Sequence, residues 1–418
     1  MAASAARGGA AAGCRSASMS SSISSRRTAL ASVVVFGSIN VDLVIGVPAL
    51  PTPGETVLAG GYELKPGGKG ANQALAARRS APGGERVCMV GRTGADGFAS
   101  VALGNLLEAG VDTSWTGAAD EDATGCAAVM VDECSGENQI VVGAAANLRA
   151  SAGAHLRPAL EAVAADGGRA VLVMQMEVPL PEVAAAIDIA SALRVPTLLN
   201  VAPSTFIPPA DALRKVAVLV VNEHEALAVA RERFGYRDRG RMPCIAGYFL
   251  ARKLPGTIVV VTLGAEGSCT FVPGAAADAL AAGERPKIGP GKVFSIAASA
   301  MGFRAGERVV DTVGAGDAFV GALASSLAAG NDLNVSLRRA TCAGGLACTM
   351  AGAQDASPAA ATIDERAGEV RTEVAEWRGD TEGEDPVRSL PLSMSERGES
   401  ISEIRSAVNG LRLFQREP

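Results

Sequence analysis

The chain has 418 residues, 48% hydrophobic and 20% charged, with a formal net charge of −6. It can bury a sizeable core, its acidic balance argues against a general nucleic-acid surface, and it has no apolar run long enough to span a membrane. Eight cysteines without a CxxC pair, and only two histidines (His155 and His224), argue against a disulfide framework, a zinc site or a histidine-based triad.

Residues 1–31 are rich in serine and alanine, carry Arg7, Arg15, Arg26 and Arg27, and contain no acid. This composition predicts an organellar transit peptide, plastid or mitochondrial; without that role the chain would be cytoplasmic. A single kinase-sized domain is expected over 32–365. It opens on the buried strand "SVVVFGSI". The segment 41–65 reads as a β-hairpin, and "KPGGKGANQALAARRS" as a glycine-rich turn entering a helix. "ERVCMVGRTG" returns to a strand, and "GFASVALGNLLEAGV" is a helix ending at Gly110. Residues 124–143 form a second hairpin around the turn "ECSGEN"; with 41–65 it predicts a small β-lid standing off the main sheet. The runs "RAVLVMQME", "PTLLNVAP", "KVAVLVVNEHEA" and "GTIVVVTLGAEG" are further short strands with helical stretches between them. Segments 232–247 and 275–306 read as loop insertions, and 366–418 as a charged, disordered tail. The βαβα rhythm predicts an α/β fold: a three-layer α/β/α sandwich around a mostly parallel sheet. In such sheets ligands sit beyond the carboxyl ends of the strands.

Two glycine-rich stretches stand at helix starts. In "DTVGAGDAFVGALASSL" the amides of Gly314, Ala315 and Gly316 lie at a helix N-terminus, where backbone N–H groups and a partial positive charge suit an anion. Asp317 could be an ordinary helix cap. Beside an anion cradle it could also accept a hydroxyl proton while the cradle holds a phosphoryl group. In "GGKGANQ" Lys69 supplies a cation and Asn72 both a donor and an acceptor. Neither stretch has the Walker A spacing, and no dinucleotide fingerprint is present.

Taken together and in order, "GSINVDLV", "GGKGANQA", "MQMEVP", "NVAPS", "VNEHEA", "TLGAEGS" and "DTVGAGDAF" resemble the ribokinase-like (PfkB) carbohydrate kinases from about Val33 to about Pro358. The resemblance implies transfer of a phosphoryl group from MgATP to the 5-hydroxyl of D-ribose, with Asp317 as general base and Gly314, Ala315 and Gly316 as the anion hole. It implies sugar contacts from Asn40, Val41, Asp42, Gly68, Lys69, Gly70, Ala71, Asn72 and Glu177, besides Asp317. It implies ATP contacts from Asn222, from Thr262, Leu263, Gly264, Ala265, Glu266 and Gly267, and from Gly316 and Asp317. Activation by K⁺ would use Asp311, Val313, Ala347, Met350, Gly352 and Ser357. Here the chain departs from the family: its loop reads "GAQDAS", so the serine ligand aligns with Ala356 unless a one-residue shift brings in Ser357. Thr341 stands where the family has an adenine-side histidine, whereas His224 reads as a surface helix residue. A homodimer formed through the lid is a further implication. Two alternatives stay open: another sugar or nucleoside kinase of the superfamily, such as a fructokinase or adenosine kinase, and a catalytically inactive organellar scaffold. An inactive homologue is expected to lose Asp317 or its glycines; this chain keeps both.

Overall fold

The computed structural model describes residues 32–165, 169–237, 243–276 and 292–377. The transit-peptide segment 1–31, residues 238–242 and 277–291 of the two expected insertions, and the tail beyond 377 lie outside the described residues.

Strand β1 (Ser32–Phe36) is buried along its whole length, which explains its continuous rather than alternating apolar run. Its side chains alternate between two cores. Val33 and Val35 pack under the helices Lys69–Arg79, Gly97–Glu108, Ala315–Ala328 and Leu333–Ala347. Val34 and Phe36 pack under Arg157–Ala165, Leu180–Ala192, Glu223–Phe234 and Pro243–Lys253 on the other face. The fold is therefore the expected three-layer sandwich.

β1 pairs in parallel with β4 (Arg86–Gly94) on one side and with β8 (Ala170–Met174) on the other. β5 (Asp112–Ala119) extends the first side in parallel. β9 (Thr197–Asn200), β10 (Val218–Asn222) and β11 (Ile258–Thr262) extend the second, also in parallel. The chain thus winds outward from β1 in both directions, and the carboxyl ends of β1 and β8 flank a topological switch point, where open α/β sheets place ligands.

Three antiparallel strands complete this ten-stranded sheet: β12 (Ser268–Pro273), β13 (Val293–Ala298) and β14 (Thr372–Trp377). They correct two sequence expectations. The 275–306 stretch is not simply a loop insertion, because β13 lies inside it. The charged tail cannot begin at 366, because "TEVAEW" is an edge strand that turns Val374 inward. Likewise 232–247 contains the ends of two helices, Glu223–Phe234 and Pro243–Lys253.

The lid is a second sheet of four strands, ordered β3 (Glu63–Gly67), β2 (Asn40–Val47), β6 (Gly125–Asp132), β7 (Asn138–Gly143). β6 and β7 form the expected hairpin; in its turn Asp132 accepts from the amides of Cys134 and Ser135, and Gly136 is left-handed. β2 and β3 are antiparallel neighbours joined by a long loop, and β2 also pairs in parallel with β6. Among the described residues no helix is long and apolar enough to cross a membrane.

One packing detail positions the site. A Cβ at Gly321 would lie 2.5 Å from the Ala76 Cβ, so the helices Lys69–Arg79 and Ala315–Ala328 approach closely only because Gly321 has none. Their N-termini, which carry the two glycine-rich stretches, are held at one end of the sandwich.

Candidate active site

Where β1 ends, Ser38 begins a short hydrogen-bonded frame. Its Oγ donates to Glu177 Oε2 at 2.6 Å, and the Lys69 amide donates to the same oxygen at 3.0 Å. The Gly70 amide donates to Ser38 Oγ at 3.3 Å, and the Ala71 amide to the Ser38 carbonyl at 2.9 Å. Glu177, which follows β8, therefore fastens the start of the Lys69–Arg79 helix to the end of β1. Gly68 is its N-cap at φ 87°; a Cβ there would stand 2.8 Å from the Asn40 amide nitrogen, so only glycine fits.

Asn40 is buried at the start of β2, and its Oδ1 accepts from Asn147 Nδ2 at 2.7 Å. Asn147 in turn accepts from the Ile39 amide at 2.9 Å. Val41 is fully buried in the core, so only its peptide group, not its side chain, is available to a ligand. Asp42 projects into a cluster of charge. Burial pushes its carboxyl up to about 6; the carboxylates of Glu177 and Asp317 add to the rise, and Lys69 opposes it. Lys69 is the cation that faces these acids among the described residues. Asp317 holds its ammonium above the usual lysine range against the effect of burial, with Glu177, Glu225 and Asp42 adding to the rise.

Asp317 sits in the first turn of the Ala315–Ala328 helix and is almost completely buried. Its N-cap, Gly314, is left-handed at φ 79°, and a Cβ there would lie 2.5 Å from the Ala353 Cα. The Ala315 amide is turned toward the Thr312 carbonyl at 3.3 Å. The amides of Gly316 and Asp317 are then the helix's open donors, since no carbonyl lies four residues back within the helix. The anion cradle thus centres one residue later than "GAG" suggests. Asp317 is not merely a cap. Its Oδ2 accepts from Asn72 Nδ2 at 3.0 Å and its Oδ1 from Gln73 Nε2 at 2.9 Å. Asn72, expected as a sugar contact, has its amide nitrogen on Asp317 and its Oδ1 on Gln354 Nε2 at 3.1 Å.

On the far side of β1 lies the expected nucleotide surface. Asn222 ends β10 and caps the next helix. Its side chain accepts from the Glu225 amide at 2.9 Å while Glu225 accepts from the Asn222 amide at 2.7 Å, a reciprocal capping box. Glu225 is buried, and burial raises its proton affinity. His224 is exposed beside it. After β11, Thr262 and Leu263 lead into a turn (Gly264–Glu266) whose Gly264, Ala265 and Glu266 are exposed; the Leu263 amide closes it on the Gly267 carbonyl at 2.8 Å. Thr341 is buried, 3.4 Å from the Ser268 hydroxyl.

The loop expected to hold a monovalent cation is organised by Asp311. Its two oxygens accept from the amides of Val313 at 2.9 Å and Gly352 at 3.0 Å. Ala347 is buried, and Val313 and Met350 are about half exposed, leaving peptide carbonyls as their contribution. Ala356, whose methyl side chain cannot ligate, packs with Ala318 and Ala347, whereas Ser357 is buried with an Oγ that has no partner among the described residues. Arg79, at the end of the first site helix, ties down this loop by donating to the Gln354 carbonyl at 2.6 Å.

Residues missed from sequence are Ser38, Gln73, Asn147, Gln175, Asn200, Glu225 and Gln354. Ser38, Gln73, Glu225 and Gln354 lie inside the quoted motifs "GSIN", "GANQ", "NEHE" and "GAQDAS", so a signal was there. Asn147 carried none, because its partner is Asn40, far away in the chain.

A mostly parallel α/β sandwich whose switch point gathers a buried carboxylate, a glycine-lined helix start and a lysine among acids is the framework of a small-molecule phosphotransferase. Comparison with known proteins names the class: the profile of "pfkB family carbohydrate kinase" matches residues 30–360. The chain belongs to this family of carbohydrate kinases. It is 32% identical over 336 residues to the ribokinase of Schizosaccharomyces pombe, covering 79% of this chain and 96% of that one. It is 31% identical over 331 residues to the ribokinase of Mus musculus, covering 78% and 92%. Among solved structures, Arabidopsis thaliana ribokinase complexed with ribose and ATP aligns with a TM-score of 0.65 at 26% identity, covering 81% of this chain and 99% of that one.

Proposed function

We propose that this chain transfers the γ-phosphoryl group of ATP to the 5-hydroxyl of D-ribose, giving D-ribose 5-phosphate and ADP. The observation that carries the reading is the meeting of Asp317, the open amides of Gly316 and Asp317, and the Asp42–Lys69–Glu177 cluster at the switch point. The naming of its relatives as ribokinases supports ribose as the sugar.

In this reading Asn40 and Asp42 receive sugar hydroxyls, with Lys69 and Glu177 closing the polar wall. Asp317 accepts the proton of the attacking hydroxyl. The oxygen then forms its bond to the γ-phosphorus as the bond to the β-phosphate oxygen breaks, and the helix amides stabilise charge on the transferring group. The turn after β11 and Asn222 hold the nucleotide. Mg²⁺, when bound with ATP, neutralises phosphate charge. The Asp311 loop fits K⁺: it offers a carboxylate, the carbonyls of Val313, Ala347, Met350 and Gly352, and the unpartnered Ser357 hydroxyl.

The lid supports a homodimer. β7 is exposed throughout, and Ile140, Val141 and Val142 stand 54%, 67% and 50% exposed, an apolar sheet face and edge that a second copy would cover. Light scattering should return twice the chain mass; a monomer at micromolar concentration would reject the pairing. Import into an organelle is proposed for residues 1–31, and a reporter fusion that stays in the cytosol would reject it. The function itself is tested with MgATP against ribose, fructose and adenosine, with and without K⁺. Ribose should give the highest kcat/KM, and a value no better than for the other two would overturn the assignment.

A further inference from the structure

The base is held by more than one layer. Asp317 Oδ1 accepts from Gln73 Nε2, and Gln73 Oε1 in turn accepts from Gln175 Nε2 at 2.6 Å. Asp317 Oδ2 accepts from Asn72 Nδ2, and Asn72 Oδ1 in turn accepts from Gln354 Nε2 at 3.1 Å. Each carboxylate oxygen thus meets one amide, and each amide has its other end occupied by a second amide behind it. Gln73 Nε2 also reaches Asn200 Oδ1 at 3.1 Å, and Asn200 Nδ2 donates to the Val220 carbonyl at 3.2 Å. Gln73 and Gln175 are fully buried, and Asn72, Gln354 and Asn200 nearly so. Burying this many polar groups is costly unless they serve one another; the inner amides are paired at both ends, while the Oε1 atoms of Gln175 and Gln354 have no partner among the described residues.

The arrangement has a chemical consequence. An amide side chain can turn either end toward a carboxylate, and only its N–H end attracts it. The outer amides Gln175 and Gln354 oppose that turn, each presenting its Nε2 to the oxygen of the inner amide. The carboxylate itself faces Lys69 from the start of the neighbouring helix and Asp42 from β2, while Glu177 after β8 and Glu225 at the Glu223–Phe234 helix act on the same lysine. Rotation of an unheld carboxylate would carry its oxygens away from the attacking hydroxyl. Two neutral donors, one per oxygen, fix its plane and use two of its four acceptor sites, leaving the others for a hydroxyl proton.

We infer that Gln73 and Gln354 are positioning residues for the base: each, directly or through Asn72, fixes one oxygen of Asp317 and keeps the carboxylate aimed at the attacking hydroxyl. The inference rests on the proposed role of Asp317. Gln354 also lies in the altered "GAQDAS" loop that Arg79 anchors, so this loop is linked to the base through a single side chain, Asn72.

The test uses the full chain carrying Gln73→Met or Gln354→Met, with Asp317→Asn alongside. Gln73→Met should lower kcat about 10- to 100-fold, the size of a lost hydrogen bond to a charged group, with ribose KM changed less than about threefold. Gln354→Met should act in the same directions and more weakly, since Asn72 stays in place. A residue that only fills space would lower thermal stability without splitting kcat from ribose KM. If Gln73→Met does not fold, Gln354→Met is read alone. Both variants folded, with wild-type kcat while Asp317→Asn is inactive, would overturn this inference and spare the proposed function. Wild-type turnover in Asp317→Asn would overturn both.

Discussion

The two sides of the cleft are built differently. On the side proposed for the sugar, side chains do the holding: Ser38, Asn40, Asn72 and Glu177 are hydrogen-bonded to one another or to buried amides behind them. On the side proposed for the nucleotide the work would fall to backbone: an exposed turn after β11, a capped helix start at Asn222, and the open amides of Gly316 and Asp317. The difference follows from what each ligand offers. A sugar presents hydroxyls in fixed directions, which side chains with matched donors and acceptors can read. A triphosphate presents anionic oxygens that any well-placed N–H group serves, so geometry matters there more than residue identity.

Breaking the backbone of the shared helix start should do the most damage. Gly314→Val forces a β-branched residue into a left-handed position already pressed against Ala353. Strain of about 3 kcal/mol would lower kcat/KM for both substrates about 100-fold. An effect on ATP alone would show that the two sides do not share this point.

Altering one sugar-side charge should have a smaller and one-sided effect. Asp42 is pushed up to about 6, so it gains a proton as pH falls through that value, and ribose KM should rise there while ATP KM stays level. The sign for stability is the reverse of an ordinary ion-paired acid. The folded protein binds this proton more tightly than the unfolded chain does, so stability is lost as pH rises from about 4 to about 6. Asp42→Asn should therefore weaken ribose binding yet stabilise the unliganded protein at pH 7 by about 2 kcal/mol. A stability loss in urea titration at pH 7 would contradict the burial argument.

The smallest effect belongs to the nucleotide side. Asn222→Ala removes half of a capping box and should cost about 1 kcal/mol of stability, with a few-fold rise in ATP KM and unchanged ribose KM. A change confined to ribose would invert the assignment of the two sides.

The same contrast governs how much could be read from sequence. β1, β10 and β11 were legible because strands buried on both faces need continuous runs such as "SVVVF", "VLVVN" and "IVVVT". β13 and β14 were not. β14 is an edge strand, so "TEVAEW" keeps its charges and reads as tail, whereas β13 is an interior, buried strand whose short run "VFSIAA" is masked by the Gly-, Pro- and Ala-rich stretch before it. The lid hairpin β6–β7 was legible through its turn, but the pairing of β2 with β6 was not, since nothing local specifies it. In the site, Asp317, Lys69 and Glu177 stood out as charges beside glycines. The amides of Gln73 and Gln354 did not, because a neutral side chain shows its role only through its partner. For Gln73 that partner lies 244 residues along the chain. Asn72 was recognised as a site residue, but its partner was not; the structure turns it toward the base.

The account stands on Asp317, and one measurement addresses it most directly. Phosphoryl transfer from radiolabelled ATP to ribose is followed in a single turnover for the wild type and Asp317→Asn, with ATP binding measured by calorimetry on the same preparations. The expected result is unchanged ATP affinity and a rate of transfer lowered about 100- to 10,000-fold, the range of a lost general base. Transfer within a few-fold of wild type would contradict the account, because the cleft would then be working without the carboxylate that its buried amides hold in place.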